Sequence, residues 1–350
     1  MKIEVKKKVR GKTQLAVIPA KAGIQYFHGF MDCPIKSGND GKDSRGIALV
    51  MVLWVLVVLI VTAFSFAYTT RTETNSTLAF KNSLEEKLCS EAGIERGIME
   101  LFYRRQNLNV EGVEQWRPNG TVYKDSLGDC TYQVSITDES GKVDINTMPD
   151  IILKNLLLAL GFVAEEADTI TDSVMDWKDT DDLVRLRGAE SGYYMSLSNP
   201  YKAKNTDFET LEELSMVRGV TSQVLYGNAE RKGIMGFLTV YSRSTGININ
   251  AAPKEVLMAI PGITPAVADA IIGYRSAKEI KSVNEVQGLL GEAYPLVALY
   301  AQGGAGDIFT ITSTGVRKGG KAGHTTSATV ALKDKKHRFV YYKSPAQATQ

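Results

Sequence analysis

An uncharged run of 22 residues, positions 47–68, reads IALVMVLWVLVVLIVTAFSFAY. As an α-helix it is about 33 Å long, which matches the hydrocarbon core of a bilayer. The run has no polar face, unlike an amphipathic core helix, and it exceeds the apolar stretch of about 7–15 residues in a secretory signal. We therefore predict a transmembrane helix. Ser65-Phe66-Ala67 has the small-x-small pattern of a signal cleavage site and leaves a cleavable signal open as an alternative.

Charged residues on either side of this run indicate its orientation. Lys42 and Arg45 precede it, with more basic residues upstream, whereas Arg71 and Glu73 follow it. Because the more positive flank stays in the cytoplasm, we expect a cytoplasmic N-terminus and an exported body.

The net charge of +2 comes from the N-terminal segment. Residues 1–46 contain ten Lys and Arg against four acids, and residues 47–350 contain 31 basic and 35 acidic residues, a net charge of −4. The body therefore offers no overall electrostatic attraction for nucleic acid.

The junction before the apolar run carries a possible processing site. A basic leader ends in Arg45-Gly46, and the apolar helix starts at Ile47. This junction resembles the site at which prepilin peptidase cleaves type IV pilins and the pseudopilins of type II secretion. The resemblance implies cleavage between Gly46 and Ile47 and methylation of the new N-terminus. The leader of residues 1–46 is long, and a start at Met31 would shorten it to 16 residues.

The exported part begins with a helical pattern. Apolar residues recur at helical spacing to about Arg105, and we expect this stripe to pack on a sheet. Its members are Phe80, Leu84, Leu88, Ala92, Ile94, Ile98, Leu101 and Phe102. Residues 117–120 are predicted to form a loop. Alternation at Tyr132, Val134 and Ile136 then predicts a strand, residues 139–142 a turn, and Val143 to Ile145 a second strand.

Further along, the pattern predicts short helices and then strands again. The predicted helices are Ile151–Leu160, Glu165–Trp177, Thr210–Met216, Pro253–Ile260 and Pro265–Ser276, and the predicted strands are Phe237–Ser242, Ile247–Asn250, Ile308–Thr312, Thr326–Leu332 and Phe339–Lys343. We therefore predict an α+β fold: a transmembrane helix at 47–68, a pilin-like helix-plus-antiparallel-sheet domain at 69–146 and 305–343, and an inserted helical domain at 147–304.

A cluster of acidic residues suggests a cation site. Residues 176–182 read DWKDTDD, and GAE follows at 188–190. Closely spaced carboxylates suit Ca²⁺, which takes 6–8 oxygen ligands, although this is not an EF-hand. The candidate ligands are Asp176, Asp179, Asp181, Asp182 and Glu190. The alternative is a solvated acidic turn with one Asp capping a helix.

The same stretch resembles the minor pseudopilins of the protein K family of type II secretion. The similarity extends to Tyr193-Tyr194, to Pro200-Tyr201 with Asn205, and to Leu211 with Glu213-Leu214. Two Asn-containing motifs, Asn146-Thr147 and Ile249-Asn250-Ala251-Ala252, belong to it as well. Met51, the fifth residue after the predicted cleavage site, stands where most pilins have Glu, and protein K also lacks that Glu. The resemblance implies a subunit at the pseudopilus tip, with the other minor pseudopilins as partners bound along the helix at 70–105.

Three cysteines are present, Cys33, Cys89 and Cys130, without a CxxC pair. After removal of residues 1–46, Cys89 and Cys130 are left and could form a disulfide between helix and sheet in an oxidising compartment. Two separate thiols fit the sequence equally well.

Residues 249–275 also resemble a helix-hairpin-helix motif. In DNA-binding members two glycines expose backbone N–H groups to phosphate, but Thr264 replaces the second glycine here and residues 262–272 contain no Lys or Arg. We interpret the hairpin as a packing or protein-binding module without nucleic-acid affinity. A DNA-uptake receptor is the alternative, and a basic surface over residues 255–290 would favour it. A minor subunit of a type IV pilus is a third possibility, although it would not predict the large insertion.

Enzymatic motifs are absent from the sequence: it contains no GxSxG, P-loop or HExxH pattern. We therefore do not expect an enzyme. The resemblance to protein K implies a protein of the inner membrane that supports pseudopilus assembly and protein export.

Overall fold

The structure, a computed structural model, describes residues 44–106, 115–320 and 323–346, with side chains from residue 47 onward. The predicted leader up to residue 43, including the proposed start at Met31, lies outside the described residues. The chain divides into two compact units, residues 1–70 and 71–350, and each is described by itself.

Helix α1 (Ser44–Arg105) begins in the first unit and continues into the second. Its apolar part from Ile47 onward is exposed along its whole circumference. Within the described residues α1 is the one helix that is long and apolar enough to cross a membrane. The uncharged run therefore forms a helix as predicted, and its apolar surface requires an apolar environment.

The second unit contains the rest of α1 and all other elements. The helices are α2 (Asp150–Ala159), α3 (Ala164–Lys178), α4 (Ser191–Met195), α5 (Ser222–Tyr226), α6 (Lys254–Ala259), α7 (Pro265–Ala277), α8 (Gln287–Leu290) and α9 (Tyr294–Val297), with 3₁₀ turns at Glu139–Gly141, Leu211–Met216, Val283–Val286 and Gly291–Ala293. The strands are β1 (Asn119–Leu127), β2 (Cys130–Asp138), β3 (Val143–Asp144), β4 (Leu238–Thr239), β5 (Ile247–Asn248), β6 (Ala301–Gln302), β7 (Ile308–Arg317), β8 (His324–Lys333) and β9 (Lys336–Lys343).

Five strands form one antiparallel sheet in the order β1-β2-β7-β8-β9. The C-terminal half of α1 packs on one face of it, where Ile94 and Ile98 join a core with Val134 and Ile311. A second and larger core occupies residues 143–301, between β2 and β7. The predicted α+β class is confirmed: a helix and an antiparallel sheet carry a large helical insertion between two neighbouring strands.

Close approach of α1 to the sheet requires small residues. A Cβ at Gly97 would lie 2.9 Å from Cγ2 of Ile311, and one at Gly315 would lie 2.7 Å from the Cβ of Cys89. Cys89 and Cys130 form a disulfide with their Cα atoms 5.9 Å apart, which joins α1 to the start of β2. The disulfide thus ties the helix to the sheet where the two elements first meet.

The predicted apolar stripe is only half correct. Ile94, Ile98 and Leu101 are buried, but Phe80 is 71% exposed and Leu88 is 55% exposed. The reason is the length of the sheet: β7 ends at Arg317, beside Cys89, so the earlier turns of the helix have no strand beneath them. Their apolar side chains are available to another protein.

Several strand predictions also need correction. Strand β1 is absent from the predictions, because only Tyr123 and Asp125 of it are half-buried and its sequence shows no regular alternation. The segment at 139–142 is a 3₁₀ turn capped by Asp138, whose side chain accepts a hydrogen bond from Ser140 N–H. Val143 therefore does not return alongside β2 and instead pairs in parallel with Leu238 of β4. The strands predicted at 237–242 and 247–250 shrink to two residues each.

Two segments of the insertion repeat one pattern, VDINTMPD at 143–150 and ININAAPK at 247–254. Each begins with a two-residue strand in a parallel pair, β3 with β4 and β5 with β6. In each, a side-chain oxygen accepts a hydrogen bond from the N–H two residues later, 2.9 Å from Asn146 N to Asp144 and 3.0 Å from Asn250 N to Asn248. A proline then precedes the next helix, α2 or α6.

The asparagines of the two motifs make matching contacts. Asn146 accepts a hydrogen bond from Phe208 N–H at 2.8 Å and donates one to Phe208 O at 3.0 Å. Asn250 does the same with Ile280, at 2.8 and 2.7 Å. The inserted domain therefore contains two copies of one unit. In each copy two helices follow the asparagine motif, and the asparagine side chain binds the backbone of the segment that comes after them.

The hairpins of the two copies also match. A glycine with positive φ lies three residues before the second helix in each, Gly161 (φ +86°) before α3 and Gly262 (φ +93°) before α7. A Cβ at Gly262 would lie 3.1 Å from the Cβ of Ala293, so this turn is packed against the protein. Residues 255–290 contain four acids and three bases. Both observations argue against DNA binding at this hairpin.

Candidate metal centre

Three of the five predicted cation ligands come together in the first copy. Asp176 lies in the last turns of α3, Asp179 is the residue at which that helix ends, and Glu190 directly precedes α4. Ligand oxygens of these three residues all lie within 4.8 Å of one another. Asp176 and Glu190 are buried, and Asp179 is half-buried.

Unpaired oxygens are concentrated at this cluster. Asp176 Oδ1, Asp179 Oδ1 and both carboxylate oxygens of Glu190 are buried and have no hydrogen-bond partner. Buried carboxylate oxygens without a donor are energetically costly, and most such groups in native proteins are paired. These oxygens therefore fit a cation, since oxygen ligands in excess of hydrogen-bond donors are what Ca²⁺ requires.

The pKa values of the three carboxyl groups are raised, because the groups are buried close to one another. Burial, followed by the charges of Asp176 and Asp179, raises the pKa of Glu190 to about 7. Burial also raises the pKa of Asp176, and burial together with the charge of Asp181 raises that of Asp179. Without a cation, the cluster thus has affinity for a proton near neutral pH.

Asp181 and Asp182 do not join the three. Asp181 Oδ1 accepts a hydrogen bond from Leu183 N–H at 2.8 Å, which shapes the loop locally. Asp182 Oδ1 lies 3.4 Å from Asn205 Nδ2. Both residues are exposed and act on the loop around the cluster.

Asn205 is not among the five predicted ligands. Its side-chain oxygen is buried without a hydrogen-bond partner, and its φ is +51°. Its N–H donates to Trp177 O at 3.0 Å, and its Nδ2 donates to Asp181 O at 3.2 Å. Asn205 therefore supplies a further unpaired oxygen on the chain that borders the cluster. The signal for it was available, because the Pro-Tyr-x-x-x-Asn motif at 200–205 belongs to the family resemblance.

Aromatic side chains pack behind the cluster. The rings of Trp177 and Tyr194 meet edge to face with centroids 5.1 Å apart, and Tyr194 stacks on Tyr201 at 5.2 Å. Tyr194 OH accepts a hydrogen bond from Arg218 N–H at 3.2 Å, and burial raises the pKa of this phenol to about 12. The tyrosine pair at 193–194 and the Pro-Tyr motif at 200–201 thus support the acidic loop at residues 179–207.

The acidic loop is an insertion relative to the second copy. In the first copy, residues 179–207 connect α3 to Phe208, whereas in the second copy Lys278 and Glu279 alone connect α7 to Ile280. The second copy forms the same asparagine contacts without such a loop. The carboxylate cluster is therefore an addition to the repeated unit.

Comparisons with known proteins match both halves of the insertion. Residues 134–227 match the family model described as type II secretion system (T2SS), protein K, and residues 242–294 match the helix-hairpin-helix motif. Type II secretion system protein K of Pseudomonas aeruginosa is 23% identical over 70% of this chain and 76% of its own length. The Aeromonas hydrophila protein K is 27% identical over 51% of this chain and 60% of its own length.

A solved structure has the same fold. The chain is similar to one in the crystal structure of the GspK-GspI-GspJ complex from the enterotoxigenic Escherichia coli type 2 secretion system, with a TM-score of 0.59 and 17% identity. The match covers 79% of this chain and 100% of that one.

An apolar N-terminal helix, a pilin-like sheet and a helical insertion with an acidic loop define a class of protein, the membrane-anchored pilin-like subunits. Both the matched domain and the matched relatives are type II secretion proteins. The chain is similar to the protein K family of the type II secretion system in sequence, and to a chain of the GspK-GspI-GspJ complex in fold.

Proposed function

We propose that the chain acts as the minor pseudopilin at the tip of a type II secretion pseudopilus. The observation that carries this proposal is the helical insertion between β2 and β7, together with the pilin-like helix and sheet. An insertion of about half the chain is difficult to accommodate repeatedly along a filament but has room at its end. The protein then acts by assembly and supports export across the outer membrane without catalysing a reaction.

The anchor and its processing follow from the N-terminal sequence. Helix α1 holds the subunit in the inner membrane, with the N-terminus in the cytoplasm and the body in the periplasm. Prepilin peptidase cleaves between Gly46 and Ile47 and methylates the new N-terminus. N-terminal sequencing of the protein from membranes tests this step. A mature protein starting at Ile47 supports it, and retention of the leader contradicts it.

The partners are the other minor pseudopilins of the same system, two of which are bound by the E. coli protein GspK in its complex. Their binding surface is the exposed apolar part of α1, where Leu78, Phe80, Leu84 and Leu88 are 50, 71, 44 and 55% exposed. Apolar side chains at this spacing form the seam that a second helix covers.

Co-purification tests this surface. The full chain in detergent is expected to bring down the other minor pseudopilins, and Phe80→Ser with Leu88→Ser to reduce the yield at least tenfold. Leu299→Ser is the matched control, because this leucine is 70% exposed but lies in the inserted domain. Equal yields from all three proteins would contradict the assignment of the surface.

We further propose that Asp176, Asp179, Glu190 and Asn205 hold Ca²⁺. Their unpaired buried oxygens and the mutual repulsion of three carboxylates support it. A bound ion supplies the positive charge that the loop lacks. Its ligands fix the loop at its start (Asp176 and Asp179), at Glu190 and near its end (Asn205). Calcium therefore stabilises the acidic loop and the surface of the tip.

Thermal unfolding of the full chain in detergent tests the ion. We expect Ca²⁺ to raise Tm relative to a chelator, and Asp176→Asn or Glu190→Gln to remove this increase. Asp181→Asn should retain it, because that side chain lies in the same loop but outside the cluster. An unchanged Tm on chelation of the wild-type protein would contradict the proposal.

A further inference from the structure

Arg185 contacts both oxygens of the most buried carboxylate in the cluster. Its Nε lies 3.4 Å from Asp176 Oδ1, and its backbone N–H donates to Asp176 Oδ2 at 3.2 Å. The chain approaches closely here because residue 188 is glycine: a Cβ at Gly188 would lie 2.7 Å from Asp176 Cγ. The loop at 185–188 thus wraps around Asp176.

The two contacts differ in their strength. The backbone bond to Oδ2 satisfies that oxygen, whereas Oδ1 has an ion pair at 3.4 Å but no hydrogen bond. In the part of the chain that the structure describes, Arg185 is the one cation paired with any of the three cluster carboxylates. The guanidinium group is therefore the local positive charge of a cluster in which negative charges outnumber positive ones.

Arg185 also has another partner outside the cluster. Its Nη1 lies 3.7 Å from Asp150 Oδ2, at the first residue of α2, and its side chain is 43% exposed. Asp150 is 54% exposed, so both partners of this contact are accessible to water. An alternative position thus exists for the charge once Asp176 is taken by another cation.

We propose that Arg185 is a displaceable counter-ion that sets the calcium affinity of the cluster. In the metal-free protein its guanidinium neutralises Asp176, and a bound cation takes Asp176 Oδ1 and moves the guanidinium toward Asp150. This inference rests on the proposed calcium site and adds to it the residue that competes with the ion. It also couples metal binding to the loop that carries Arg185.

Substitution of this residue should strengthen metal binding. A unit charge roughly 6 Å from a divalent ion in a water-like dielectric opposes binding by a factor on the order of ten. Arg185→Met keeps the apolar stem and removes the charge, so we expect about tenfold tighter Ca²⁺ binding. Arg185→Lys keeps the charge and should remain within about threefold of wild type.

Arg187→Met is the matched control. Arg187 lies two residues further along the same loop and carries the same charge, but its guanidinium pairs with Glu165 at 2.6 Å, outside the cluster. Its removal changes the net charge equally and should alter calcium affinity less than twofold. The comparison separates local competition from the overall charge of the domain.

Isothermal titration of the full chain in detergent with CaCl₂ measures the affinities, and Tm in a chelator gives a second readout. Tighter binding by Arg185→Met, together with a lower metal-free Tm, supports the inference, because the guanidinium stabilises only the metal-free cluster. Unchanged or weaker binding by Arg185→Met, or an equal gain in Arg187→Met, overturns it while calcium binding by the wild type stands.

The two proposals fail in distinguishable ways. If neither the wild type nor Arg185→Met binds Ca²⁺, the calcium site and this inference both fall. If Arg185→Met alone binds the ion, the guanidinium occupies the site in the natural protein. That result overturns the calcium proposal, and it also overturns the displacement of Arg185 by the ion.

Discussion

Lowering the pH from 8 to 6 is expected to weaken calcium binding about tenfold. The relevant group is Glu190, whose pKa is raised to about 7 by burial and by Asp176 and Asp179. A carboxylate must be deprotonated to ligate a metal ion. With this pKa, Glu190 is roughly one-tenth deprotonated at pH 6 and nine-tenths deprotonated at pH 8. The apparent affinity follows the deprotonated fraction, which gives the factor of about ten.

The stability of the metal-free protein should depend on pH in the same window. The pKa of Glu190 is about 7 in the folded protein, against 4.5 for an unperturbed glutamate such as that of the unfolded chain. Between these values the folded state binds more protons than the unfolded state, so stability falls as pH rises. The contribution is complete below about pH 4.5 and is lost as the pH passes 7. Saturating calcium holds the carboxylate charged and removes this dependence.

Calorimetric titration of the full chain with CaCl₂ at pH 6 and pH 8, in buffers of different ionisation enthalpy, measures both quantities. At pH 6 about one proton should leave per ion bound, and at pH 8 almost none. Glu190→Gln is the control: it should bind more weakly at both pH values and show no release of this proton. Equal wild-type affinities at pH 6 and 8 would refute the assignment of Glu190 as a buried ligand.

Three further predictions concern the fold and are tested by equilibrium or thermal unfolding. Gly315→Ala should cost about 1–3 kcal/mol, because its Cβ would lie 2.7 Å from the Cβ of Cys89; Gly273→Ala, where a Cβ meets nothing within 4 Å, should be neutral or stabilising, and equal losses would contradict the close packing of α1. Ile98→Ala should cost about 2–5 kcal/mol because Ile98 is 3% exposed in the helix–sheet core, and a loss below 1 kcal/mol would contradict its place there. Replacing Cys89 and Cys130 together by Ser should cost about 4 kcal/mol, from the entropy of a loop that spans 41 residues, and an unchanged stability would show that the crosslink contributes nothing.

Long helices and strands were the features best predicted from the sequence, because their periodic patterns extend over many residues. Helix α1 ends at Arg105, where the apolar pattern stops, and β7 and β8 form where strands are predicted, although each is longer than predicted. A long run carries many independent positions, so one irregular residue does not change the interpretation.

Features that depend on neighbours in space were missed. Phe80 has the same spacing and hydrophobicity as Ile98, and only the end of the sheet at Arg317 leaves it exposed. Strand β1 lies at the sheet edge and buries little besides part of Tyr123, so its sequence carries no clear alternation. The turn at 139–142 contains the Gly expected of a hairpin, but Asp138 instead caps a 3₁₀ turn that redirects the chain.

For the carboxylate cluster, the type of the residues predicted the site, but their spacing in sequence did not show which of them meet. Five acids stood close together in sequence, yet the end of α3 and the return of the chain at Glu190 select only Asp176, Asp179 and Glu190. Asn205 was not counted because its oxygen reaches the loop from another segment. The repeat of VDINTMPD in ININAAPK, in contrast, was readable from sequence and would have divided the insertion into its two copies.

The central claim is that this chain assembles with sister subunits through the exposed face of α1. Its most direct test is to mix the full chain, in detergent, with the purified minor pseudopilins of the same secretion system and to measure the mass of the product by light scattering after size exclusion. The account predicts one complex that contains this chain and its partners, and the loss of that complex with Phe80→Ser and Leu88→Ser. A chain that elutes alone in the presence of every partner would contradict it.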